Sequence, residues 1–574
     1  MIPRAEYPRP QMVRESWRNL NGSWDFEIDH GVTGRDRGLI QADSLSGRIT
    51  VPFCPESRLS GVEYKDFMAA VWYKKTVTLS KEELSGRVLL HFGAVDYFAE
   101  VWVNAKPAGK HRGGYTPFAL DITRLVTEGD NVITLCAEDN TRSGIQPSGK
   151  QSTEYHSHDC SYTRTTGIWQ TVWLEFVPES YISAIHLTPD VANAKLDVSL
   201  KLAGSTVGLS VKAKASFDSA VVGTAEANAT WNTASFSIPL ETPLQLWEVL
   251  NAKLYDLELV LVRDGREIDS VKSYFGMRSI AIDGRKVLIN GKPVFQRLIL
   301  DQGFYPDGIY TAPTDDELRM DIVRSVSMGF NGARLHQKIF EPRFLYHADR
   351  MGYICWGEHG NWGFDDSQAA GLLSYLPEWM ESVERDYSHP CIVGWCPFNE
   401  TSGNQNDDVV IAVCAQTKLY DPTRPVIDSS GWIHTGFTDI YDCHDYEQNP
   451  EMFIHHYDNL GDPDKIPHIN HNRGWTYDPE IPYFCSEYGG IRWTLEENTG
   501  WGYGEAPKSG EEFIERYRGL TTALLDNPLM CGLCYTQLTD VEQEVNGLYT
   551  YDRRPKFDPE IIYAITSKKA AIEE

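Results

Sequence analysis

Basic residues are scarce in this sequence: 53 Lys and Arg stand against 81 Asp and Glu, a formal net charge of −28 at pH 7. Such an excess repels nucleic-acid backbones and anionic lipid, so neither is expected as a partner. Long apolar runs are missing too. No eighteen apolar residues follow one another without a charge or proline, and the N-terminal MIPRAEYPRP lacks the apolar centre of a signal peptide. A cytoplasmic chain without a membrane segment is expected. The 11 cysteines are odd in number, and Cys355, Cys396, Cys485, Cys531 and Cys534 sit inside apolar runs, as reduced core thiols do. Cys531 and Cys534 have no second CxxC pair to complete a zinc site. No GxGxxG or Walker loop is present, and no cofactor or metal is expected.

What remains, 41% hydrophobic and 12% aromatic over 574 residues, is the composition of an ordered protein of several domains. Residues 1–178 are built of short alternating runs, among them WDFEI, AVWYKKTVTL, FAEVWVN, NVITLCAE and TVWLEFV, separated by Gly, Pro, Asn or Asp. This pattern predicts an antiparallel β-sandwich, with Asn104 to Gly109 as a hairpin. Residues 179–276 alternate likewise with fewer aromatics, and their seven or so short strands predict an immunoglobulin-like sandwich acting as a spacer. From 277 to 574 apolar β runs alternate with helical patterns. Eight candidate strands, 294–300, 332–336, 353–358, 392–398, 425–430, 439–446, 483–489 and 532–538, predict a TIM (β/α)8 barrel, an open doubly wound sheet being the alternative.

In such a barrel the chemistry sits where the strands end. Strand four ends in Asn399 and Glu400, and strand seven in Glu487. Strand one ends at Asp301, strand two at Arg334 and His336, strand three at Glu358 and His359, and strand six supplies His444 and Tyr446. A carboxylate is costly to half-bury without partners, and two on different strands suggest an acid and a nucleophile working as a pair on a glycosidic bond. The apolar approach to Glu400, past Trp395 and Pro397, predicts a raised pKa and hence the acid role. Glu487 is the candidate nucleophile, kept ionised by Tyr446 or Arg334. Asp301, Arg334 and Glu358 either touch the sugar or form an ion-pair network beneath it. His336 and His444 are read as hydrogen-bonded histidines beside it, with His359 behind. Trp356, Trp362, Trp432, Trp475, Trp493 and Tyr535 are candidate stacking faces for a sugar.

These residues belong to longer motifs. LNGSWDF (20–26), VWYKKTV (71–77), FGAVDYFAEVWVN (92–104), GIWQTVWLE (167–175), NGKPVFQR (290–297), MGFNGARLH (328–336), ADRMGYICWGE (348–358), PFNE, SEYGG and NGLYTYDRRPK (546–556) give the chain a resemblance to glycoside hydrolase family 2 along essentially its whole length. That group contains β-galactosidases, β-glucuronidases and β-mannosidases. The resemblance implies a jelly-roll sugar-binding domain, an immunoglobulin-like sandwich and a catalytic TIM barrel. It also implies a retaining double displacement, with Glu400 as acid/base, Glu487 as nucleophile, Asn399 on the 2-hydroxyl and Tyr446 against the nucleophile.

Two departures bear on substrate. Where β-glucuronidases of this family carry an Asn-x-Lys pair for the sugar carboxylate, this chain has Glu544, Val545 and Asn546. A uronic acid would meet an acid there rather than a cation, so a neutral sugar and a β-galactosidase-like activity are expected. The histidine-rich and Arg-x-Ser-His stretches of large β-galactosidases read here as LILDQGFYPDG and RLHQK, leaving Asp301, His336 and Gln337 to recognise the sugar. The alternatives are a β-glucuronidase or β-galacturonidase with another cation, and a carbohydrate-binding protein without catalysis. By analogy with relatives, the aromatic surface of the first domain could serve a homo-oligomer.

Overall fold

The computed structural model describes residues 2–468, 470–471, 477–495 and 500–573, so Trp475 lies outside the described residues. The first part is a sandwich of two antiparallel sheets. One has four strands, in the spatial order Trp17–Asn19, Val172–Val177, Arg87–Phe92 and Phe118–Asp121. The other has six, from Gly47–Val51 at one edge to Lys106–Arg112 at the other. Trp24, Tyr73, Leu90, Val101, Leu135 and Leu174 fill the space between them. The expected hairpin turns at Asn104 and Ala105, whose φ values of 52° and 60° supply the left-handed pair that a two-residue turn needs.

Seven strands follow in sheets of three and four, spanning Tyr181–Asp190 to Arg266–Phe275, around Val198, Leu200, Val211, Leu259 and Val271. Polar and buried residues alternate along Lys195–Ala203 and Leu209–Phe217, as two half-buried sheets require.

The last part closes into a parallel barrel. Its strands are Gln296–Asp301, Gly332–Leu335, Ile354–Glu358, Ile392–Cys396 with the extension Phe398–Asn399, the segment ending in Ser429–Ser430, Tyr441–Asp445, Tyr483–Gly489 and Met530–Thr536. Seven lie in one sheet with strand eight beside strand one, which an open doubly wound sheet would not allow. Strand five joins strand four through Ser429 and Ser430. It meets strand six where Asp439 N–H donates to Val426 O at 2.9 Å. Helices cover the outside. The first, Asp315–Ser327, starts where Thr314 Oγ1 accepts from Glu317 N at 3.2 Å, and carries three acids in its first turn. No helix among the described residues is long and apolar enough to cross a membrane.

Strand alternation decides what reaches the barrel axis. In strand one, Arg297 points outward to Thr566 O and Glu573, so Asp301, four residues on, falls on the same outer face. In strand eight, Tyr535 packs outward, its ring 5.1 Å from Tyr517 of the helix Gly510–Leu525. Cys534 and Thr536 take the inner positions.

The sandwich also reaches the barrel mouth. Ser148 N donates to Trp362 O at 2.8 Å and Gly149 N to Gly360 O at 3.1 Å. Gly149 has φ +55°, and a Cβ there would meet Gln337 O at 2.2 Å. Only glycine allows the two backbones this approach.

Candidate active site

Glu400 and Glu487 are brought together. One oxygen of each and one nitrogen of His444 all lie within 4.8 Å of one another. Glu400 adopts a left-handed φ of 48°, a conformation costing a non-glycine residue about 1–3 kcal/mol, and its N–H is held by Ser430 O at 2.8 Å.

Arg334 ties the floor together from a position 1% exposed. Its Nε and Nη2 donate to Glu358 Oε2 at 2.9 and 2.7 Å, Nη2 also to Asn399 Oδ1 at 2.7 Å, and Nη1 to Glu487 Oε1 at 3.1 Å. Tyr446 OH donates to the other oxygen of Glu487. His336 Nδ1 lies 2.8 Å from Glu358 Oε1, and burial pushes its pKa well below the ordinary histidine value, so the ring is a neutral donor. The Asn399 Nδ2 donor is buried without a partner. It is open to a hydroxyl of a bound sugar.

Burial alone would raise both glutamates. At Glu487 the charges of His444 and Arg334 outweigh it and hold the carboxyl below its usual range. At Glu400 the hydrogen bond and charge of His444, with Lys150 and Arg334, do the same. This corrects the raised value expected for Glu400 from its apolar approach: the sequence neighbours are apolar, but the spatial neighbour is an imidazole. His444 itself would be lowered by burial, yet Glu487 and Glu400 raise it above the ordinary value. Its Nδ1 lies 2.7 Å from Glu400 Oε1 and its Nε2 2.9 Å from Ser430 Oγ.

Several expected residues are elsewhere. Asp301 accepts from Gly303 N at 2.9 Å, and its charged neighbours are Asp321, Arg553 and Lys338; burial, then Asp321, pushes it up to about 7. Tyr535 faces the helices. His359, expected only behind the site, is buried against Tyr375 and Trp379, while Trp356 packs against Phe484 and Trp493 near Phe513 and Phe557. Trp362 and Trp432 are at the site: Trp362 Nε1 donates to Asn399 O at 3.3 Å, and Trp432 meets the His444 ring edge to face at 5.8 Å.

The sequence singles out Glu544 and Asn546, but the residues that surround them carry no signal there. Gln302 Nε2 donates to Tyr162 OH at 2.6 Å and to Gln537 Oε1 at 2.7 Å, and Gln537 Nε2 donates to Asn546 Oδ1 at 2.8 Å. Tyr162 OH donates to Glu544, which also accepts from Asn546 Nδ2 at 2.8 Å. Tyr503 stacks flat on Tyr446 at 3.4 Å. Lys150 of the sandwich loop places Nζ 4.0 Å from the Trp362 ring centre. A cleft of about 740 Å³ lined by Phe67, Tyr97, Arg112 and Arg142 lies on the sandwich and includes neither glutamate.

Two groups among the described residues have donor atoms close enough to hold a cation: Glu400, His444 and Glu487, and separately Asp349, His389 and Cys391. In the second, Asp349 already accepts from Tyr274 OH at 2.7 Å and Cys391 N at 2.9 Å. Cys531 and Cys534 belong to neither.

The family profile described as "Glycosyl hydrolases family 2, sugar binding domain" matches residues 17–178, "Glycosyl hydrolases family 2" matches 180–278, and "Glycosyl hydrolases family 2, TIM barrel domain" matches 347–499, together most of the chain. The chain belongs to glycoside hydrolase family 2. This family 2 chain is 27% identical to the beta-glucuronidase of Rattus norvegicus over 467 residues, 73% of this chain and 69% of that protein. A Formosa agariphila protein is 27% identical over 420 residues, and the match spans 48% of that relative, about half its length. Among solved structures, the beta-glucuronidase of Ruminococcus gnavus in complex with D-glucuronic acid superposes with a TM-score of 0.80, covering 98% of this chain and all of that one at 18% identity. At that identity the likeness is one of fold.

Proposed function

We propose that the chain is an exo-acting, retaining β-glycosidase for terminal β-uronides, a β-glucuronidase-type activity, with Glu400 as acid/base and Glu487 as nucleophile. The carboxylate pair carries the reading. Oxygens within 4.8 Å of one another suit the separation of about 5–5.5 Å at which a carboxylate attacks the sugar itself, and not the roughly 6.5–9.5 Å that leaves room for an activated water. The uronide is supported by the relatives, which are named as β-glucuronidases.

In the first step a Glu487 oxygen bonds to the anomeric carbon, the glycosidic bond breaks, and Glu400 gives a proton to the departing oxygen. That proton reaches Glu400 from His444 Nδ1 across their 2.7 Å contact, so the pair holds one proton although Glu400 alone is held low. In the second step Glu400 takes a proton from water as its oxygen displaces Glu487. Arg334 and Tyr446 receive the carboxylate as its charge returns.

One observation favours a neutral sugar, the β-galactosidase-like reading. Glu544, 2% exposed, is suited to accepting sugar hydroxyls and opposes a sugar carboxylate. Turnover of aryl β-glucuronide, β-galacturonide and β-galactoside at one pH decides between the two. Mass spectrometry after a 2-fluoro glycoside tests the shared mechanism: the wild type gains one glycosyl group on Glu487 and Glu487→Gln gains none. A label on any other residue, or near-normal turnover by Glu487→Gln, overturns it.

A further inference from the structure

The segment Glu544, Val545, Asn546, which stands where the family's Asn-x-Lys pair would, supplies an acid and an amide and no cation. The structure brings one from another domain. Lys150 is 7% exposed and stands on a loop fixed to the barrel through Ser148 and Gly149 and held within the sandwich by the hydrogen bond from Tyr162 N to Lys150 O, 2.7 Å. Its ammonium rests on the face of Trp362, whose Nε1 donates to the carbonyl of Asn399 beside Glu400.

Lys150 forms no ion pair among the described residues. The groups facing it are the Cys160 thiol, Glu544, Glu400 and Glu487. Burial would lower its pKa, but these groups outweigh burial and keep it charged. Its side-chain hydrogen-bond partner is the Cys160 thiol, and a buried ammonium with no carboxylate in ion-pair contact has donors left for an anionic group. Glu544 is restrained from filling it, because Tyr162 and Asn546 hold both its oxygens.

We propose that Lys150 receives the carboxylate of a β-linked uronic acid and so sets the preference of the site for uronides over neutral glycosides. The inference rests on the glycosidase reading above and adds a specificity-determining residue to it. The loop position explains how the family's barrel segment can lack its cation: the charge comes from the sandwich.

The test compares wild type, Lys150→Met and Lys150→Arg on p-nitrophenyl β-glucuronide, β-galacturonide, β-galactoside and β-glucoside, with the melting temperature of each variant as a check on folding. The ratio of uronide to neutral-glycoside kcat/KM is expected to fall at least 100-fold in Lys150→Met, chiefly through KM, and to stay within about tenfold of wild type in Lys150→Arg. An unchanged ratio in Lys150→Met, or equal loss on every sugar, overturns the role of Lys150 and leaves the glycosidase standing. Wild-type turnover confined to neutral glycosides also overturns it. Absence of turnover on the whole panel overturns the glycosidase reading itself.

Discussion

His444 holds Glu400 through a 2.7 Å contact from Nδ1 while its other nitrogen lies 3.4 Å from Glu487 Oε1. One imidazole therefore acts on both carboxylates, beside Arg334. Glu400 is held below its ordinary value and His444 above its own, so the two titrate as a pair with one proton between them.

The basic limb of the kcat/KM profile should report loss of that proton, which occurs above the ordinary histidine value because the pKa of His444 is raised. In His444→Gln the store is gone and Glu400 must hold the proton as a lone carboxyl. The basic limb is expected to move toward acid by more than about one pH unit, with a smaller effect on substrates whose leaving group needs no protonation. A profile that only falls in height would assign His444 to packing.

Arg334→Lys should lower kcat about 100-fold or more while the chain still folds. A lysine keeps the charge but cannot reach Glu358, Glu487 and Asn399 from one planar fork. Arg334→Met removes the charge as well and should destabilise by about 3–5 kcal/mol, because two buried carboxylates lose their counter-ion. Equal stability of the two variants in urea would count against this account.

Asn399→Ala should cost activity on ordinary glycosides and cost far less on 2-deoxy glycosides, because the unpartnered Nδ2 would have lost nothing there. Equal losses on both would place the amide away from the 2-position.

Away from the site, Asp421 accepts from Arg424 Nη1 at 2.6 Å and Trp395 Nε1 at 2.7 Å. Burial would raise it, but Arg424 and the hydrogen bonds hold it at about 2, below the ordinary 3.8. A depressed carboxyl stabilises the fold above 3.8, and that contribution is lost as pH falls to 2. The loss amounts to about 2 kcal/mol. Chemical denaturation of Asp421→Asn between pH 4 and pH 2 should show a decline smaller by that amount.

The sequence was most legible where a period repeats. Alternation located both sandwiches, apolar runs between helical patterns located the barrel strands, and the end of strand two supplied Arg334 and His336, which both face the site. The errors are errors of one residue. Asp301 and Tyr535 face outward with Arg297 and Leu533, while their chain neighbours Gln302 and Thr536 turn toward the axis; Thr536 Oγ1 lies 3.3 Å from Tyr446 OH. A strand end has no pattern left to fix its phase. Lys150 and Tyr162 were out of reach for a different reason: they are loop residues of another domain, 250 and 238 positions before Glu400. Apolar residues before Glu400 in the chain misdirected its pKa because protonation answers to neighbours in space.

The contact of Gly149 with Gln337 has a wider consequence. A barrel cut free of the sandwich would keep its two carboxylates and lose the Lys150 ammonium that rests on Trp362. If Lys150 selects uronides as proposed, exchanging the loop around residue 150 between relatives shifts substrate preference without altering a residue of the barrel.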